Sequence, residues 1–208
     1  MIKILKFSNG SGYNKLTNFL DQRRNSNNTD VDLVNKIIND VKKNKLKALK
    51  KYEKKYSKNK EIKLSKKKIN NSIKYLDQNV KKAIDYAYER IFKFHKLQIK
   101  NFKKIKFVDK YKNKLEYKSI PIDSVGVYVP GNLPSTLLMN CIPAKIAGVR
   151  RIILATPKIN NTLNPAVLYA AKKLGIKEIF SMGGAQAIAS LAFIQKVNKV
   201  VGPGNKYV

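Results

Sequence analysis

The sequence predicts an α/β protein in two parts: a helix-rich stretch, then an open parallel sheet with crossover helices. Three observations carry this expectation. All 7 prolines, and every glycine except Gly10 and Gly12, fall after Ile120, so turn chemistry is concentrated in the second part. Charge changes at the same place, because 34 of the 44 basic and 11 of the 13 acidic residues precede Pro121. Beyond it, short continuous apolar runs alternate with helical patterns, as buried parallel strands joined by right-handed crossovers require.

Taken in order, residues 1–28 have weak periodicity and are expected to form an arm. From Asp30, the apolar side chains Leu33, Val34, Ile37, Ile38 and Val41 recur at helical spacing, and the pattern fades through the lysine-rich run to Lys60. Ser65 is a candidate N-cap for a helix carrying Ile69, Ile73 and Leu76 on one face. Another helical stripe runs through Val80, Ile84, Ala87, Tyr88, Ile91, Phe94 and Gln98. These stripes read as core faces, with lysine stems lying over apolar surface on the wet side. The sole histidine, His95, sits beside the last stripe and is assigned a packing or hydrogen-bonding role.

The second part reads as a repeating strand and helix. Strands are expected in "SVGVYVP", "RIILATP", "IKEIFSMG" and "VNKVVGPG". Between them, helices are expected in "STLLMNCIPAKIAGV", where Pro143 marks a kink or a boundary, in "NPAVLYAAKKLG", with Pro165 in its first turn and Gly175 at its end, and in "GAQAIASLAFI". Open sheets of this kind bind ligands beyond the carboxyl ends of their strands. Those ends are "YVPGN", "TPKIN", "SMGGAQ" and "GPGNKY". Gly183 and Gly184 would free backbone N–H groups at a positive helix end, where a phosphate can sit. Asn205 adds an amide donor and acceptor, and Tyr128 a ring for stacking and a hydroxyl. Each turn alone also serves simply to join two elements; together, on one side of one sheet, they point to a nucleotide or phosphorylated ligand.

Composition excludes other classes. A chain of 208 residues buries a real core without disulfides, and its one cysteine, Cys141, lies in an apolar run that suits a buried, inert thiol. One cysteine and one histidine rule out a self-contained zinc finger. No 18-residue apolar run is present, and the first residues lack the pattern of a signal peptide, so a cytoplasmic location is expected. The net charge of +31 comes from 39 lysines and only 5 arginines, scattered through helical periods. Specific phosphate recognition leans on arginine forks, and base recognition on spaced aromatic platforms. The charge attracts polyanions at low salt, yet a physiological nucleic-acid partner is not expected. A lysine-rich nucleic-acid-binding protein using residues 36–118 is the rival reading, and a noncatalytic α/β scaffold is the third. Asp123 and Glu178, the only acids after Ile120, stand at strand beginnings, on the wrong side of the sheet for catalysis. No catalytic residue and no metal ligand is therefore assigned.

At the strand-end turns the sequence resembles the amino-terminal half of the histidinol dehydrogenase family. The resemblance rests on "VGVYVPGN" followed by "LPSTLLMNCIPAKIAGV", on "NPAVLYAAKKLGIKEIFSMGGAQAIASLAF", and on "VNKVVGPGNKYV". It covers residues 119–208 strongly, the stretch between Ser65 and His95 more weakly, and residues 1–60 little. It implies an α/β architecture with a helix-rich partial domain followed by a Rossmann-like parallel α/β domain, incomplete at the C-terminus: an arm (1–28), the first part of a discontinuous helix-rich domain (29–122), and an NAD-binding domain (123–208). It implies a zinc- and NAD-dependent, four-electron oxidation of L-histidinol to L-histidine through an aldehyde-level intermediate, carried out by a homodimer. It also implies an NAD site that includes Tyr128, Gln186 and Asn205. The family's zinc ligands and its proton-transferring glutamate and histidine lie in a second half that these residues do not contain. Relative to the family, "PGNLPST" and the segment after "LAF" are shortened and "TPKINNTLNP" is lengthened.

Overall fold

The computed structural model describes residues 11–25, 28–59, 61–99, 105–159 and 162–204. The stretch expected as an arm carries a helix, α1 (Ser11–Asn25), which leaves Tyr13 and Leu20 exposed. Helix α2 (Asn28–Ser57) is one long element with a break at Lys45, whose backbone takes φ 49° and ψ −126°. That break explains why the apolar pattern fades in the sequence: it rephases the helix, so that Ile37 and Val41 before it and Ala48, Leu49 and Tyr52 after it all become buried. Asp40 spans the break, its carboxylate accepting from Asn44 at 2.7 Å and from Lys51 and the Tyr52 hydroxyl at 2.9 Å each.

Helix α3 (Lys66–Ile73) begins as expected at Ser65, whose hydroxyl accepts from the Lys68 N–H. Helix α4 (Gln78–Ile99) starts at Asp77, whose carboxylate accepts from the N–H groups of Asn79 and Val80. A hairpin not anticipated from the sequence follows, β1 (Ile105–Val108) pairing antiparallel with β2 (Lys114–Tyr117). All eight of its residues are exposed, so it lacks the apolar alternation that would have announced it. The signal that was present lies in its turn, where Asp109 accepts from the N–H groups of Tyr111 and Asn113.

The second part is the expected alternation. Strands β3 (Ser124–Tyr128), β4 (Arg151–Ala155), β5 (Glu178–Phe180) and β6 (Lys199–Val201) form one parallel sheet in the order β5-β4-β3-β6. Helix α5 (Pro134–Ile146) runs through Pro143 without dividing. Helix α6 (Pro165–Lys173) is capped by Asn164, and α7 (Gly184–Phe193) follows the double glycine.

Two layers of helix enclose the sheet. On one face Val125, Val127 and Leu154 pack under α5 and α6, with Ile73 of α3 and Ile84 of α4 closing the same cluster. On the other face Ile153, Ala155 and Phe180 meet Ala187 and Leu191 of α7 together with Leu49 of α2. Gly126 permits the closest approach there, because a methyl group at that position would come within 2.9 Å of Leu191. The chain thus keeps α5 and α6 on one face and crosses to the other with α7. The reversal falls between β3 and β6, at whose carboxyl ends sheets of this kind leave a crevice. After α2 the chain runs along the β5 edge, where Leu64 N–H donates to Ile179 and Ser181 N–H donates to Ile62.

Candidate functional site

At the carboxyl ends of the strands, four turns press against one another. A methyl group on Gly131 would lie 2.6 Å from the Pro157 carbonyl oxygen, and one on Gly183 would lie 2.8 Å from the Pro157 ring. Gly202, at φ +138°, has the Tyr128 carbonyl group where a side chain would stand. The turns after β3, β4, β5 and β6 therefore form one floor, made possible by glycines at the points of contact.

Tyr128 ends β3 and is buried. Burial pushes its phenol above the ordinary tyrosine value; a backbone hydrogen bond from Gly184 works the other way, and the charge of Glu53 adds to the rise. Tyr128 also lines a hollow of about 240 Å³ with Ile188, Val200, Val201, Gly202 and Gly204, at the reversal point of the sheet. Gln186 lies in the first turn of α7 and is likewise buried. On the α2 side of that turn, a second hollow of about 350 Å³ is lined by Leu33, Val34, Ile37, Tyr56, Gly184, Ala185 and Gln186. Tyr128 and Gln186 are thus neighbours through Gly184. Asn205 lies outside the described residues; Gly204, next to it in sequence, lines the Tyr128 hollow.

The structure adds an acid that the sequence reading did not assign to the strand ends. Glu53 of α2 is completely buried, and its Oε1 accepts from Gly183 N–H at 3.0 Å and from Gln186 Nε2 at 2.9 Å. The Gly183 N–H, expected to be free for a phosphate, is taken by this carboxylate. Asn59 arrives by the same route: its Nδ2 donates to the Ser181 carbonyl oxygen at 2.6 Å, while its Oδ1 accepts from Lys158 Nζ at 2.8 Å. Both residues hide within a run of lysines. The available clue is that Glu53 stands four residues after Leu49, on the face that becomes buried once the break at Lys45 is placed.

The remaining titratable candidates stand apart. Asp123 and Glu178 are at the opposite end of the sheet, as expected, paired with Arg150 and Arg151. His95 is half-buried and bonds Gln98 through Nδ1. Cys141 is buried, which pushes its thiol up to about 12 and leaves it inert. No group of three or more His, Cys, Asp or Glu side chains able to hold a metal ion occurs among the described residues. A concavity of about 720 Å³ lies on the α5 side of β3 and β6 and is lined mainly by apolar residues, including Ile120, Met139 and Ala144.

The family model described as histidinol dehydrogenase matches residues 20–208. The chain belongs to the histidinol dehydrogenase family. A histidinol dehydrogenase of Pelagibacter ubique is 53% identical to it, over 100% of this chain and 50% of the relative. That of Caldanaerobacter subterraneus is 41% identical over 84% of this chain and 43% of its own. A crystal structure of histidinol dehydrogenase from Elizabethkingia anophelis superposes with a TM-score of 0.78 at 35% identity, covering 86% of this chain and 43% of that one. The chain therefore spans about half the length of the curated histidinol dehydrogenases it matches, and the fold expected from the sequence is that of a histidinol dehydrogenase half.

Proposed function

We propose that the chain is the cofactor-binding, amino-terminal half of a histidinol dehydrogenase whose whole form oxidises L-histidinol to L-histidine in two NAD-dependent steps, the last of histidine biosynthesis. The observation that supports this is Tyr128 at the reversal point of the sheet, lining one hollow, with Gln186 at the neighbouring strand-end turn, lining a second. Those residues fit a dinucleotide. Tyr128 keeps its proton at neutral pH because burial raises its phenol, so it serves as donor and acceptor, while Gln186 supplies a carboxamide in a site shielded from water. NAD, when bound, accepts the hydride. The hollows of about 240 and 350 Å³ each suit part of such a ligand. Asn205 is the third proposed contact, two residues beyond Pro203.

Zinc belongs to the same proposal but not to these residues. Among the described residues no cluster of His, Cys, Asp or Glu fits it. On this reading residues 29–122 begin a discontinuous domain that the second half completes, residues 123–208 form the NAD-binding domain, the active form is a cytoplasmic homodimer, and neither membrane nor nucleic acid is a partner. Among the described residues no helix is long and apolar enough to cross a membrane.

The test is complementation. The purified chain, given NAD, zinc and L-histidinol, is expected to form no NADH. Mixed with a separately produced second half of the Pelagibacter ubique relative, it is expected to gain turnover that Tyr128→Ala or Gln186→Ala weakens. Turnover by the chain alone, or full turnover by both variants in the mixture, would overturn the proposal.

A further inference from the structure

We propose that Glu53 makes the amino end of α7 a subsite for a neutral hydrogen-bond donor, a nucleoside hydroxyl or amide, and closes it to phosphate. This rests on the reading of Tyr128 and Gln186 as part of a dinucleotide site, and it says which part of the dinucleotide meets them. A helix that follows a parallel strand ordinarily offers its first N–H groups and its positive end to a phosphate. Here the first N–H group of the turn is already used: Gly183 donates to Glu53 Oε1 at 3.0 Å. The positive end is matched by the protein's own carboxylate, delivered from α2 and completely buried.

Two consequences follow from the chemistry of that carboxylate. A second anion placed beside it meets like charge where water is excluded, so a phosphate is repelled from the turn that would otherwise attract it. The Gln186 side chain turns its NH2 toward Glu53, donating to Oε1 at 2.9 Å. Its Oε1 then faces the other way, close to Gly184, where an added methyl group would stand 3.1 Å from it. Glu53 Oε2 is buried and has no partner among the described residues. Gln186 lines the hollow of about 350 Å³ beside α2, so its Oε1 offers an acceptor there, while Glu53 Oε2 is a buried acceptor without a donor; acceptors of this kind are best satisfied by a ligand that donates. Lys158, in the turn after β4, is bonded to Asn59, and among the described residues Glu53 has no ion pair. Glu53 is a positioning residue: it acts through Gln186 and through the helix end.

The experiment is an amide titration of the isotope-labelled chain, following the backbone signals of Gly183 and Gly184 and the Gln186 side-chain NH2, at constant ionic strength. The probes are inorganic phosphate, adenosine, nicotinamide riboside and NAD, each alone. In the wild type, at least one nucleoside is expected to shift these signals saturably, and phosphate at equal concentration to leave them in place. Glu53→Gln keeps an acceptor for Gly183 but removes the charge, and it is expected to bring a saturable phosphate response at Gly183 and Gly184. A saturable phosphate response of these signals in the wild type, silence toward both nucleosides, or a folded Glu53→Gln that still ignores phosphate overturns the inference. If Glu53→Gln does not fold, the wild-type titrations decide alone. NAD separates the two levels: an NAD response at Tyr128 with Gly183, Gly184 and Gln186 unmoved sinks this inference and leaves the cofactor reading standing. Silence toward NAD at every site removes the cofactor reading, and with it this one.

Discussion

Replacing Gly202 with alanine tests whether the β6 turn really seals the floor of the site. Gly202 has φ +138°, a region nearly closed to other residues, and a methyl group there would overlap the Tyr128 carbonyl oxygen, lying 2.9 Å from its carbon and 3.2 Å from its Cα. The dihedral alone costs about 1–3 kcal/mol. The overlap is with backbone, so no rotamer change relieves it, and either the turn shifts or β6 lets go of β3. Letting go sets a ceiling. β6 is an edge strand holding β3 through three pairs, with Val200 and Val201 only half-buried. Exposing them costs roughly 2 kcal/mol in lost apolar burial, with the ladder hydrogen bonds adding about 1 kcal/mol each. The expected loss in urea unfolding is therefore about 2–4 kcal/mol, accompanied by faster amide exchange at Val200 and Val201. Gly175 supplies the control, because its φ is also positive, +67°, but a methyl group there would meet nothing closer than the flexible end of Lys145 at 3.7 Å. Gly175→Ala should cost about 1–2 kcal/mol. Equal losses in the two variants, with β6 exchange unchanged in Gly202→Ala, would refute the claim of backbone contact between the β6 turn and Tyr128.

Three further outcomes are expected. Asp40 is held at about 2, chiefly by its hydrogen bonds from Asn44, Lys51 and Tyr52, against an ordinary 3.8, so the clamp across the α2 break is fully present above pH 4 and is lost as pH falls through about 2. The Tyr52 ring signals should move over that window, and in Asp40→Asn they should sit at the acid position already at neutral pH. The Arg151 guanidinium grips Glu178 with two bonds of 2.8 Å and lowers its carboxyl below the ordinary value, so this pair too contributes above the unfolded carboxylate range and fades as acid protonates Glu178. Because both side chains are partly solvated, Arg151→Ala should cost only about 1 kcal/mol in chemical denaturation at pH 7, and less at high salt. Cys141, buried and raised to about 12, should resist thiol reagents in the native chain and react at once in denaturant.

Much of this architecture is legible locally. Ser65 as a cap, Pro165 in a first turn and Gly175 beyond a helix end are short-range features, settled by which residues can supply a side-chain acceptor, dispense with an N–H or adopt a positive φ. The strand-end glycines are legible for the same reason. The hairpin of β1 and β2 escapes because period-two alternation reports a buried face, and neither strand has one. The second half of α2 escapes because a single left-handed residue, Lys45, resets its phase, and a pattern read at constant period cannot follow a reset.

By itself the sequence determined the α/β class, the order of elements, and the side of the sheet on which Tyr128 and Gln186 would fall, since those follow from alternation along the chain and from turn chemistry. Only the tertiary structure decided what meets them there. Glu53 lies 130 residues before Gly183 and 133 before Gln186, and it reaches them because the apolar face of α2 is buried against α7. No local rule links a glutamate in a lysine-rich helix to a distant glycine turn. The link is made by burial, which carries a carboxylate into a place where two N–H donors and a helix end are what remains to replace water.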